Sequence, residues 1–128
     1  MKLLLDTHSF LWFVNNSPDL SANARNHIED ITNEVYLSIV SAWEIAIKTS
    51  IGKLQIPVPV HLFIPAQMAT NDFRLLPIEI AHLSLVTSFP FHHKDPFDRL
   101  LAAQSLNESM PLVSIDAKLD LYGVQRIW

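Results

Sequence analysis

The chain has 128 residues, 49% of them hydrophobic, with a formal net charge of −4 and no cysteine. That size and apolar content fit one domain over residues 1–128 with a full core, and exclude a disordered chain. The missing cysteine excludes disulfide scaffolds and thiolate metal sites. The acidic balance excludes a non-specific DNA coat, while leaving room for a local basic rim around an acidic site. One lysine and three leucines precede Asp6, too few for a signal-peptide core. No apolar run approaches the roughly 18 residues of a membrane span. The expectation is a soluble, cytoplasmic protein without membrane contact.

In chain order, Lys2–Leu5 is a short apolar run ending at Asp6 and predicts a buried first strand. Thr7–Val14 predicts a helix, broken around Asn15–Pro18, and Ser21 starts a second helix running to about Ile31. Val35–Ser38 is β-branched and aromatic, hence a second strand. Ser41–Ser50 predicts the clearest helix, with Ser41 and Glu44 spaced as a capping box and Gly52 placed for a C-cap. Prolines hold Ile56–Pro59 extended, and Val60–Thr70 is helical. Arg74–Leu76 is a short strand and Ile78–Ser88 a helix. Asp95 is placed to cap the next helix, with Pro96 at its first position, where the missing N–H costs nothing. Leu112–Ile115 is a strand ending at Asp116, and Val124–Ile127 a final strand.

Short apolar strands alternating with helices predict an α/β sheet covered on both faces. In such folds the site lies outside the carboxyl ends of the strands. Asp6 and Asp116 each follow a strand, while Glu44 and Asp98 each fall in the first turn of a predicted helix. All four therefore face one sheet edge. Converging carboxylates raise one another's pKa values unless a cation sits among them, and an oxygen-only donor set suits Mg²⁺. Each acid also has a plainer reading: a helix cap for Asp6, a capping-box partner for Glu44, a favourable helix-terminus charge for Asp98, a turn for Asp116. The joint placement, not any single acid, carries the metal reading.

The stretches LLLDTHSFLW, SIVSAWEIAIKTSIGKL, HHKDPFDRLLAAQS and LVSIDAKLDLYGVQRIW together resemble, in that order, blocks of PIN-domain proteins, most closely the VapC-like toxins of toxin–antitoxin pairs. The resemblance runs nearly end to end. It implies a three-layer α/β/α fold with a central, mainly parallel five-stranded sheet, and Mg²⁺- or Mn²⁺-dependent endoribonuclease activity. It places the catalytic, metal-binding acids on Asp6, Glu44, Asp98 and Asp116. It further implies a homodimer and a cognate antitoxin as partner. Position 114, often Thr in the family, is Ser here, which keeps the hydroxyl.

Asp95 lies one helical turn from Asp98 and competes with it for the role of third acid. His8, His92 and His93 read as hydrogen-bonded or surface residues before ligands, and His92, His93 and Asp95 are too nearly contiguous for a tetrahedral zinc site. Lys48, Lys53, Lys94 and Arg99 are candidates for phosphate contact or simply solvated charges. Trp12 and Trp43 read as core or dimer contacts. Two other functions compete with hydrolysis: a non-catalytic PIN-fold module that holds RNA or a partner, and a phosphotransfer domain built on a strand-end Asp. The second is weakened because DTH lacks the second Asp of DxD phosphatases.

Overall fold

Leu3, Leu4 and Leu5 of the first strand, β1 (Lys2–Leu5), are all closed to solvent. A strand with no wet face belongs inside a sheet covered on both sides. The computed structural model, which describes residues 1–128, has that arrangement. After β1 come α1 (Thr7–Val14), α2 (Ala22–Glu29), β2 (Glu34–Ser38), α3 (Ile39–Ser50), α4 (Val60–Asn71), β3 (Arg74–Leu76) and α5 (Ile80–Val86). Then follow α6 (Pro96–Glu108), β4 (Leu112–Val113), a 3-10 helix over Ala117–Tyr122, and β5 (Arg126–Ile127). The five strands lie in the order β3-β2-β1-β4-β5, and every neighbouring pair is parallel. The expected α/β fold with five strands is present, and its sheet is wholly parallel.

Alternation along the strands sorts the core into two layers. Leu3, Leu5, Val35, Leu37, Val113 and Ile127 pack with residues of α1, α2 and α4. Leu4 and Leu112 point the other way, onto Leu100, Leu101 and Ala102 of α6. The third helix reaches both layers, Ile45 entering the first and Val40 the second. A fully buried leucine contributes about 1.5–3 kcal/mol, so this central strand anchors everything built at its end. No helix is long and apolar enough to cross a membrane.

Local signals differ from expectation at three places. The capping box at Ser41 and Glu44 does not form: α3 begins at Ile39, and Ser38 caps it by accepting from Val40 N–H at 3.0 Å. Ser38 is held in that role because its hydroxyl also donates to buried Gln104 at 2.5 Å. Glu44 therefore lies in the second turn, not the first. Gly52 does fall just past the helix, with φ of 74°. The fifth helix is shorter than expected, because His82 Nδ1 accepts from Glu79 N–H at 3.0 Å and sets its start. The last two strands are also shorter than their apolar runs, the chain leaving β4 at Ser114 rather than after Ile115.

Candidate functional site

From β1 the chain works outward to β2 and β3, then returns to lay β4 on the other side of β1. The carboxyl ends of β1 and β4 thus flank the point where the strand order reverses, where open α/β sheets build their sites. Asp6, the first residue after β1, is buried and caps α1, accepting from Ser9 N–H at 2.8 Å. The cap is locked to the sheet, since Ser9 Oγ donates to Val113 O at 2.9 Å. Ser114, just past β4, stands beside Asp6 and also accepts from Asp116 N–H at 3.1 Å, tying the two acids together.

Glu44 is buried on α3. One oxygen accepts the Thr7 hydroxyl at 2.6 Å, with Ser41 Oγ 2.9 Å from the same hydroxyl, and the other pairs with the Lys48 ammonium. Asp98 lies in the first turn of α6, whose cap is Asp95. Asp98 and Asp116 offer oxygens within 4.8 Å of each other and of a His93 ring nitrogen. Asp116 caps the 3-10 helix, accepting from Lys118 N–H at 3.0 Å.

These surroundings move the acids differently. Burial raises the Asp6 carboxyl above the usual range, and the hydroxyl of Ser114 and the Ser9 backbone offset part of that. No other acid contributes to that rise, so mutual repulsion is not its cause. Asp98 is pushed up to about 7, first by burial and then by the negative charge of Asp95, with Glu44 and Asp116 adding to it. Repulsion among the acids therefore settles on Asp98. Burial also pushes Asp116 up, but hydrogen bonds from His93 and the Lys118 backbone outweigh it and hold this acid below the usual range.

His93 is buried, with Nε2 2.6 Å from Asp116 Oδ2 and Nδ1 2.9 Å from the Tyr122 hydroxyl. That hydroxyl oxygen already accepts from His93 N–H at 3.1 Å. Asp116, held below the usual carboxylate range, can only accept, so Nε2–H donates to it, and in the neutral imidazole Nδ1 then accepts the Tyr122 proton. The imidazole orients a carboxylate and keeps its nitrogens occupied. What the cluster offers a cation is oxygen from carboxylates, one of them holding a proton only because of burial and its acidic neighbours. That donor set fits a hard divalent ion.

Other expected residues fall elsewhere. Asp95 is a cap, accepting from Phe97 N–H at 2.8 Å. Arg99 is neither solvated nor free for phosphate: it is buried, donates to Pro90 O at 2.9 Å and Val86 O at 3.2 Å, and lies over the Phe91 ring. Lys94 is exposed, and Trp43 is exposed with an edge against Phe97. His92 packs on Tyr122, away from any zinc-like triad with Asp95. A second converging group, Glu79, His82 and Glu108, has both imidazole nitrogens already bonded, to Glu79 N–H and to Glu108 at 2.9 Å, and serves to hold α5 on α6. Sequence reading missed Thr7 and Tyr122, and it gave Ser41 only as the capping-box partner of Glu44 rather than as a neighbour of the Thr7 hydroxyl. Thr7 carried a signal as the residue directly after Asp6, and Tyr122 carried none.

Residues 3–124 match the PIN domain family, and the chain belongs to it. Ribonuclease VapC16 of Mycobacterium tuberculosis (strain ATCC 25618 / H37Rv) is 38% identical over 69 residues, which cover 51% of this chain and 49% of that protein. The chain thus spans about half the length of the curated relative it matches. Among solved structures, VapBC2 from Rickettsia felis, bound to a DNA fragment from their promoter, superposes with a TM-score of 0.72 at 13% identity, over 98% of this chain and 97% of that one. VapBC-1 from nontypeable Haemophilus influenzae gives 0.66 at 15% identity, over 98% and 96%. FitAcB from Neisseria gonorrhoeae gives 0.64 at 18%, over 98% and 96%. At these identities the structures establish the fold.

Proposed function

We propose that this chain is a single-domain, Mg²⁺-dependent endoribonuclease that hydrolyses RNA phosphodiester bonds and acts as the toxin of a toxin–antitoxin pair. The observation that carries the reading is Asp98, pushed up to about 7 beside three other acids at the point where the strand order reverses. Asp6, Glu44, Asp98 and Asp116 would hold the ion, with Mn²⁺ able to replace Mg²⁺ at an oxygen donor set. When bound, such an ion supplies a water of lowered pKa and positive charge against the scissile phosphate. The chain's own residues do the positioning. Thr7 and Lys48 hold the two oxygens of Glu44, and the Tyr122–His93 pair aims Asp116. Asp98 would have to give up its proton to serve as a ligand.

The similarity to VapBC and FitAcB assemblies supports an antitoxin partner. Exposed Ile80 and Leu83 on α5, with exposed Phe91 beyond it, support a homodimer contact. With RNA as substrate and an antitoxin as partner, the chain would act in the cytoplasm. The test is cleavage of structured RNA by the purified chain, with the 5′ ends of the products sequenced. Cutting is expected to stop in EDTA and return with Mg²⁺ or Mn²⁺. Activity unchanged in excess chelator overturns the metal reading, and RNA binding without cutting favours the non-catalytic module. Expression is expected to arrest growth, relieved by the co-expressed antitoxin. Harmless expression of an RNA-cutting chain would mark a housekeeping nuclease.

A further inference from the structure

We propose that the groove beside the acidic cluster is a nucleotide subsite for single-stranded RNA, taking one unstacked nucleotide next to the scissile bond. Its base rests against His8 and Trp12, and its phosphate on Lys53. The inference rests on the nuclease reading above and names where that substrate is gripped.

The groove has a volume of about 530 Å³ and is walled by Thr7, His8, Trp12, Lys48, Lys53 and Leu54. That volume lies within the range of small-ligand sites. Continuity is the first argument. Thr7 and Lys48 line the groove and also bond the two oxygens of Glu44, so its inner end adjoins the acids. The aromatic wall is the second. His8 and Trp12 stand one turn apart on α1, ring centroids 5.6 Å apart, and Trp12 is braced from behind by Trp128 at 5.9 Å. A braced indole beside an exposed imidazole is a stacking surface that any unpaired base can use.

Charge is the third argument. The chain is acidic overall, at −4, yet no carboxylate lines the groove, and besides His8 its titratable groups are two lysines, Lys48 and Lys53. Lys48 is paired with Glu44, while Lys53 is exposed and has no carboxylate within ion-pair distance. A free cation beside a stacking wall matches a nucleotide, which carries an anion and a planar ring. An acidic peptide would answer the lysine and leave the wall unused.

The test is fluorescence anisotropy of a labelled ten-nucleotide, mixed-sequence single-stranded RNA with the full chain in Ca²⁺, the RNA being checked intact afterwards. Lys53→Glu is expected to weaken binding about tenfold and to lower the salt slope by about one. His8→Ala and Trp12→Leu are expected to weaken it roughly three- to tenfold with the slope unchanged. Lys2→Glu makes the same charge change at the far end of β1 and is expected to cost less than about twofold. Because Trp12 also packs on the core, exposed His8 keeps the aromatic arm testable if Trp12→Leu does not fold. Equal losses from Lys53→Glu and Lys2→Glu, or wild-type binding by His8→Ala, overturn the subsite. So does displacement of the RNA by a ten-residue polyglutamate, which would make an acidic protein segment the occupant. The two readings fail separately. RNA binding with the expected losses but no cutting in Mn²⁺ upholds the groove and defeats the nuclease. Cutting and binding untouched by the groove variants uphold the nuclease and defeat the groove.

Discussion

Asp98 is the residue on which the charge of the site concentrates, and it makes the sharpest tests. Its carboxyl is held at about 7 by burial and by the negative charge of Asp95, Glu44 and Asp116. The cost to the fold is absent below about pH 4, where the acid is protonated folded and unfolded alike. It grows as the unfolded carboxyl ionises and is complete above about pH 7. Discounted for partial exposure, it comes to roughly 1–2 kcal/mol. Asp98→Asn also forfeits a favourable charge in the first turn of α6, about 0.3–1 kcal/mol. Relief outweighs loss, so the metal-free variant is expected to melt a few degrees above wild type at pH 8 and no higher at pH 4, by paired melting curves in EDTA. A lower melting point at pH 8 would mean the helix-terminus charge dominates. On cleavage, Asp98→Asn is expected to abolish activity while Asp95→Asn keeps most of it, since Asn still caps α6. The reverse result would move the third acid to Asp95. Convergence of acids was legible in the sequence, but its consequence was legible only in part. Burial is the first cause of the rise at both Asp98 and Asp6, which no spacing of residues reveals, and repulsion among the acids adds to it at Asp98.

At the scale of an element, the start of α3 shows why local patterns mislead at a site. Ser41 and Glu44 have the spacing of a capping box, yet both face Thr7 across the crevice, and the cap is Ser38 at the end of β2. Spacing along one helix could not show that, because the competing partner lies on α1. Ser38 carries two duties, capping α3 and donating to buried Gln104. Ser38→Ala removes a cap worth about 1 kcal/mol and strands a buried acceptor at roughly 1–3 kcal/mol. The expected loss is about 2–4 kcal/mol in denaturant midpoint analysis. A loss under about 0.5 kcal/mol, the level of an ordinary surface change, would show that Gln104 finds another donor. His93 is the loop counterpart. It read as a hydrogen-bonded residue, and it is one, but its partners Asp116 and Tyr122 are 23 and 29 residues away in the chain. His93→Ala is expected to lower kcat with little change in RNA binding, because it frees Asp116 without removing it. Loss of binding with kcat intact would put the imidazole on the substrate.

For the whole molecule, the alternation of short apolar strands with helices made the layered sheet legible, and the strand-end rule placed the acids at one edge. Strand order was not legible, because nothing in Leu112–Val113 states that it lies beside β1 rather than β3. Yet that order brings Ser114 to Asp6 and Asp116 to Asp98. A site assembled from α1, α3, α6 and the β4 exit belongs to the folded state alone, so an ion bound there stabilises the whole chain by mass action. At a hundred times its dissociation constant the gain is about 2.7 kcal/mol, or a rise of roughly 10 °C for a domain of this size. That rise should depend on pH with a definite sign. A protonated Asp98 cannot ligate, so below its folded value of about 7 the ion must displace a proton first. Two pH units below that value, the displacement costs about 2.7 kcal/mol, enough to cancel the gain at fixed ion concentration. The melting rise with Mn²⁺ is therefore expected to be near its full size at pH 8 and nearly absent at pH 5. In Asp98→Asn it is expected to be small at both. A rise in the wild type that is the same at pH 5 and pH 8 would place the bound ion away from Asp98, and the carboxylate cluster would then be a feature of the fold alone.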